Sequence, residues 1–272
     1  MSVNPNVWPV DGHVHLHDLE LVAPMLDAAA GNFRAVTGNS RAFGVLLLTQ
    51  AARETVFERL QSVTRVGDWR ISPCVEESVS LIADRQDLSL AIVCGRQLRA
   101  EDGLEVHALG TCATFSDGLG FAESVDAVRA TDALAVIPWG VGKWLGRRGS
   151  RVKSVMQSRS VRELFVGDNG GRLALLGEPP TLRGFRRLGF RVLPGTDPFP
   201  LQRDLGRVGS FGFLADVGPA TSSPWRRLRT WLLSRPESPP PYGAALDPAT
   251  FVYNQAGLRL RNFRAGRTGA LA

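Results

Sequence analysis

The stretch FGVLLLT, residues 43–49, decides how the chain folds. It stays apolar up to its last residue and shows no alternation. A strand with one wet face alternates apolar and polar side chains, whereas a strand covered on both faces need not. The run therefore predicts an interior strand, covered by helices as in parallel sheets.

Working outward, Val7–His15 reads as an earlier strand and Leu19–Ala30 as the helix after it. Arg53–Val63 is helical by spacing. Two strand-like runs follow, LSLAIVCG (88–95) and LEVHALGT (104–111), and the acidic turn AEDG between them suggests an antiparallel excursion. Ser124–Ala130 and Leu182–Leu188 read as helices; Leu134–Pro138, Leu164–Val166 and Phe190–Leu193 read as strands. Pro224–Leu233 is a short amphipathic helix with Trp225 and Trp231. Repeated β–α units with buried strands argue for an α/β fold, either a parallel barrel or a doubly wound sheet. The Pro-rich segment RPESPPPYG (235–243) breaks the pattern. The organisation expected is one domain over residues 1–234, then a Pro-, Gly- and Arg-rich tail over 235–272 lying on or near it.

The chain has 272 residues, 44% of them hydrophobic, which is enough for a large core and argues against disorder. The N-terminus lacks a basic stretch followed by an apolar one, so no secretory signal is expected. The longest aliphatic run, Val45 to Leu48, is too short to span a membrane. Cys74, Cys94 and Cys112 show no CxxC spacing and read as free thiols of a reducing, cytoplasmic compartment. Net charge is +6, divided unevenly: residues 1–145 carry 11 basic and 18 acidic side chains, residues 146–272 carry 21 and 8. An arginine-favouring composition explains much of this, since only Lys143 and Lys153 are lysines; an anion-binding face is the functional reading. Nucleic-acid binding is disfavoured because aromatic interleaving is sparse. Nucleotide-binding glycine fingerprints are missing from the sequence.

Three of the four histidines sit at alternate positions, His13, His15 and His17, within PVDGHVHLHDLE (9–20). Residues two apart on a strand share a face. Three stacked imidazoles suit a packed core poorly, because each needs a hydrogen-bond partner, but they suit a divalent cation well. A polar strand end reaching solvent is the bland alternative. In parallel α/β folds further ligands gather at the C-terminal ends of strands. Those ends offer His107 and Asp197 as metal-competent residues. Asp168, in GDNGGR (167–172), is a ligand or general base, or else a turn residue. Trp139, Lys143, Arg147, Arg148 and Arg172 lie after strand ends, where Lys and Arg would clamp an anionic substrate.

The ordered motifs resemble the PHP family, the polymerase and histidinol phosphatase domain. DGHVHLH stands where that family has His-x-His, LLLTQAA where it has Thr-Asp-His, and CGRQ where it has Gly-x-Glu. EVHALGT, VIPWG and PGTDPFP correspond to its Glu-Val-His-x-Leu-Gly, Ala-His-Pro and Gly-Ser-Asp-x-His. The likeness covers about residues 8–212. It implies a distorted, TIM-like (β/α)7 barrel and a metal-dependent phosphoesterase. The first and last motifs also look like the amidohydrolase superfamily, which would imply C–N bond or lactone hydrolysis.

By position the resemblance retains His13, His15, His107 and Asp197. It loses the ligands that would stand at Gln50, Ala51 and Gln97, the histidine replaced by Pro138–Trp139, and the one after Asp197, where Pro198 and Phe199 follow. A trinuclear centre is not expected from this set. The expectation is one divalent cation (zinc, manganese or iron) on His13, His15 and Asp197, with His107 as ligand or proton shuttle. Asp168, His107 and Lys143 would act in catalysis. Trp139, Lys143, Arg147 and Arg172 would bind substrate. A metal-activated water would attack a phosphoester. An inert relative that only binds a ligand or partner is the reading from a different class.

Overall fold

A computed structural model describes residues 4, 6–38, 43–86, 88–199, 202–254 and 256–257. The chain begins with β1 (Val7–Val14), α1 (Val22–Thr37), β2 (Phe43–Leu48) and α2 (Val56–Gln61). A meander follows: β3 (Arg65–Val66), β4 (Trp69–Pro73), β5 (Ser80–Arg85) and β6 (Leu88–Val93). Then come β7 (Gly95–Arg99), β8 (Glu105–Leu109), α3 (Phe121–Arg129), β9 (Leu134–Trp139), α4 (Arg147–Gln157) and β10 (Leu164–Asp168). The chain continues with α5 (Pro180–Arg187), β11 (Arg191–Pro194), β12 (Phe211–Asp216), α6 (Pro224–Ser234) and β13 (Pro241–Gly243).

The barrel expectation is overturned. Among the described residues the strands form two mixed sheets and no closed barrel. One has eight strands in the order β13-β12-β1-β2-β6-β5-β4-β3, the other five in the order β11-β10-β9-β8-β7. In the first, β1, β2 and β6 run parallel and the flanking strands antiparallel. In the second, β9, β10 and β11 run parallel, and an antiparallel pair does flank AEDG, but its first strand is β7 (95–99); the expected run 88–95 is mostly β6, which belongs to the first sheet. The sheets part at Cys94, the one residue between β6 and β7. Where their strand ends meet again, isolated contacts replace a ladder. The Asp197 N–H donates to the His13 carbonyl at 2.9 Å, and Gln50 bridges to Arg96.

The strand over 43–48 is buried throughout and parallel to a neighbour on each side. Its Val45 and Leu47 point into the layer between the sheets, with Trp8, Val93, Val136, Phe165 and Phe213. Its Leu46 and Leu48 point outward, against Met25, Leu26 and Phe33 of α1 and Phe57 and Leu60 of α2. The second sheet is covered likewise by α3, α4 and α5, through Phe121, Val125, Val152, Met156, Leu182 and Phe185. These are the two covering layers that an unalternating apolar strand requires.

The segment after residue 234 is partly built into this frame. Pro241–Gly243 pairs with β12, Leu246 is buried, and Asn254 Nδ2 donates to Asp204 at 3.1 Å. The rest of the tail expected to 272 lies outside the described residues.

Candidate metal centre

The site forms where the C-terminal ends of β1 and β11 touch. Two glycines permit the approach. A Cβ on Gly12 would stand 2.6 Å from the Pro194 carbonyl oxygen, and one on Gly195 would stand 2.2 Å from the His13 nitrogen. Asp11 then ties the two ends together. Its fully buried carboxylate accepts from Thr196 N (2.9 Å), Thr196 Oγ1 (2.6 Å), Gly209 N (2.9 Å) and His13 N (3.2 Å). Burial pushes the Asp11 carboxyl up to about 6, against the pull of these donors. With its oxygens so engaged, Asp11 is a brace for the ligands. Asp197 itself has a positive φ of 45°, an uncommon conformation for a non-glycine residue.

Three metal-competent atoms converge here. His13 Nε2 and His15 Nε2 are 3.1 Å apart, and each lies 3.5 Å from Asp197 Oδ1. Four ligands at about 2.0–2.1 Å from a tetrahedral ion stand about 3.3–3.4 Å from one another, so the triangle has the dimensions of one coordination face. Two neutral imidazoles placed nitrogen to nitrogen share a single proton between them; a cation satisfies both lone pairs and the carboxylate together. The donor set therefore fits a divalent ion. Burial and the neighbouring His15 charge hold His13 well below the ordinary imidazole value, which favours the neutral, ligating form. At His15 burial also opposes the charge, but Glu54 and Asp197 outweigh it and raise the value.

Glu54 is the residue that sequence reasoning missed. It sits between β2 and α2, accepts from Ala51 N at 2.8 Å, and meets His17 Nδ1 at 2.6 Å and His15 Nδ1 at 3.9 Å. Burial opposes its ionisation, yet the two imidazoles and the Ala51 N–H hold its carboxyl below the usual range. Its only sequence signal was an acidic residue just past a buried strand. His17 stacks on His15, their ring centroids 5.7 Å apart, and takes no part in the triangle.

The other expected residues divide. His107 is buried with its ring edge on His13, centroids 4.3 Å apart, but its Nε2 is 3.1 Å from Gln97 Oε1 and outside the triangle. Gln50 takes the Phe57 N–H at 2.8 Å, at the start of α2. Lys143 reaches the cleft and pairs with Glu105. That cleft, about 310 Å³, is lined by His15, His17, Glu54, Lys143, Asp197 and Phe199, among others. Asp168 and Arg172 are not brought there. They pair with each other at 2.9 Å and line a separate cleft of about 590 Å³ with Glu178 and Arg186. Asp168 also accepts the Gly170 N–H at 3.2 Å, the turn role weighed beside catalysis. Arg147 is exposed in the first turn of α4, and Trp139 packs half-buried against the core under α3–α5.

A second group, Glu58, Cys94 and Cys112, also holds metal-competent donors within 4.8 Å of one another, although Arg96 already pairs with Glu58. Among the described residues no helix is long and apolar enough to cross a membrane.

No family model matches this chain. A search of curated proteins also finds no match. Among solved structures the chain is similar to PsfC from Pseudomonas syringae PB-5123, with 13% sequence identity and a TM-score of 0.59. The match covers 94% of this chain and 99% of that one. At that identity the likeness bears on the fold alone.

Proposed function

We propose that the chain is a metal-dependent hydrolase of small anionic phosphoesters, working at a single cation held by His13, His15 and Asp197. The observation that carries this reading is the convergence of His13 Nε2, His15 Nε2 and Asp197 Oδ1 within 3.5 Å of one another at the wall of an open cleft. The ordered motif resemblance to the PHP family supplies the reaction class.

A divalent cation there supplies Lewis acidity and an activated water near neutral pH. The chain does the rest. Asp11 fixes the β1 and β11 ends so that the triangle keeps its size. Glu54 orients His17 through their 2.6 Å contact and holds its negative charge 3.9 Å from His15 Nδ1. Asn169 Nδ2 donates to Asp197 Oδ2 at 3.0 Å, which turns the other carboxylate oxygen toward the histidines. Lys143 is the cation that faces the cleft, and its partner Glu105 neutralises it until an anionic group competes for it.

Binding without turnover is the second reading. Gln50 and Gln97 stand where the resemblance expects charged ligands, and both are engaged in hydrogen bonds within the protein. One experiment separates the two. Metal-free protein is titrated with Zn²⁺ or Mn²⁺ and assayed on p-nitrophenyl phosphate and bis-p-nitrophenyl phosphate, with His13→Ala alongside. Metal-stimulated turnover that His13→Ala lacks supports the hydrolase. One tightly bound ion with no turnover of either ester supports binding alone, and absence of any bound ion defeats both.

A further inference from the structure

Two cysteines outside the histidine centre carry a different chemistry. Cys94, between β6 and β7, is fully buried, whereas Cys112, in the segment after β8, is half-buried. The N–H groups of Gly110 and Thr111 both donate to the Cys94 carbonyl, at 2.8 and 3.2 Å, and hold the Cys112 segment against it. The two thiols lie within 4.8 Å of each other and interact directly. Arg96 joins this group: it pairs with Glu58, donates to the Cys112 carbonyl at 3.2 Å and reaches the Glu54 carbonyl at 3.0 Å.

The guanidinium decides between two chemistries. A cation would have to displace Arg96 from Glu58 and then sit beside its charge. The same positive charge favours a thiolate on Cys112, against the Glu58 carboxylate that Arg96 partly neutralises. Hydrogen bonding from Cys94 holds the Cys112 thiol below its ordinary value, and the same bond, with burial, pushes Cys94 up. A half-buried thiol beside a buried thiol, with Arg96 held on the carbonyl of the first, has the placement of an attacking group and its resolving partner.

We propose that Cys112 and Cys94 form a peroxide-reactive dithiol, in which Cys112 attacks hydrogen peroxide and Cys94 resolves the product to a disulfide. The Cys112 thiolate sulfur attacks one peroxide oxygen and the O–O bond breaks. The leaving hydroxide takes a proton to become water, leaving a sulfenic acid on Cys112. Cys94 sulfur then attacks that sulfur, the S–O bond breaks, and the hydroxyl departs as water with the Cys94 proton. The dithiol loses two electrons and the peroxide is reduced to two waters.

The chain has three cysteines, so Cys74 is the internal control; burial pushes its thiol up to about 11. Folded, reduced protein is treated with a small excess of hydrogen peroxide, digested without reductant and mapped by mass spectrometry. The expected product is a Cys94–Cys112 disulfide with Cys74 still free, reversed by dithiothreitol. In Cys94→Ser, dimedone should trap a sulfenic acid on Cys112; in Cys112→Ser, loss of the Cys94 thiol should slow about tenfold or more. The wild-type map needs no variant, so a variant that misfolds does not spoil the test. Oxidation first at Cys74, disulfides only between chains, or two free thiols at peroxide levels that oxidise glutathione would each overturn the proposal.

Discussion

Replacing His13 and His17 one at a time by alanine separates a ligand from a neighbour. His13 Nε2 is a vertex of the triangle, 3.1 Å from His15 Nε2 and 3.5 Å from Asp197 Oδ1. His17 meets the site through Glu54, at 2.6 Å, and through its stack on His15, with no ring nitrogen in the triangle. Zinc held by four protein ligands is worth about 10–16 kcal/mol, so one ligand accounts for about 3 kcal/mol, or about 10²-fold in Kd. His13→Ala should lose at least that, because three ligand atoms become two. His17→Ala removes one partner of Glu54 while Ala51 N–H and His15 remain. Loss of an outer partner costs about 10–100-fold, and His17→Ala should fall at the low end, about tenfold. The assay is competition between metal-free protein and a chelator for Zn²⁺ at fixed pH. Thermal melts without metal check that each variant folds. Equal losses would make His17 a ligand and refute the triangle, and unchanged affinity in His13→Ala would remove the site altogether.

Three further outcomes follow from the same geometry. Gly195→Ala should cost about 2–4 kcal/mol in denaturant unfolding and weaken Zn²⁺ binding in step, because the added Cβ meets His13 N at 2.2 Å. Asp11→Ala should lower stability by about 3–5 kcal/mol in the same assay, since it strands buried donors on Thr196, Gly209 and His13. Asp168→Asn should leave Zn²⁺ affinity within about twofold of wild type, because its carboxylate lines the other cleft with Arg172; a tenfold loss would bring it back to the centre.

Much of the site's chemistry was legible in the sequence. Alternation in extended backbone predicts that His13 and His15 share a face, and their rings do converge although β1 ends at Val14 and its register shifts between Asp11 and Val14. The unbroken run 43–48 likewise demands cover on both faces, and the structure supplies a helical layer outside and a second sheet inside. The AEDG turn marked an antiparallel reversal by its local chemistry, although the strand before it is 95–99 and not the expected 88–95. Closure is another matter. Two sheets or one barrel depends on whether strand ends far apart in sequence join by a ladder or by single bonds such as Asp197 N–H to His13 O, and no local pattern encodes that. The same non-locality explains the errors of role. Asp168 closes β10 and Asp197 follows β11, both parallel strands, but Arg172 pairs with one in a separate cleft while a positive φ and Asn169 turn the other toward the histidines. Glu54 carries no local mark of its role, which comes from His15 and His17 being brought beside it. Residue types and strand parity set which atoms were available as ligands. The tertiary structure chose among them, because a triangle of donor atoms fit for a metal is made of distances between chain segments that meet only once the sheets have packed.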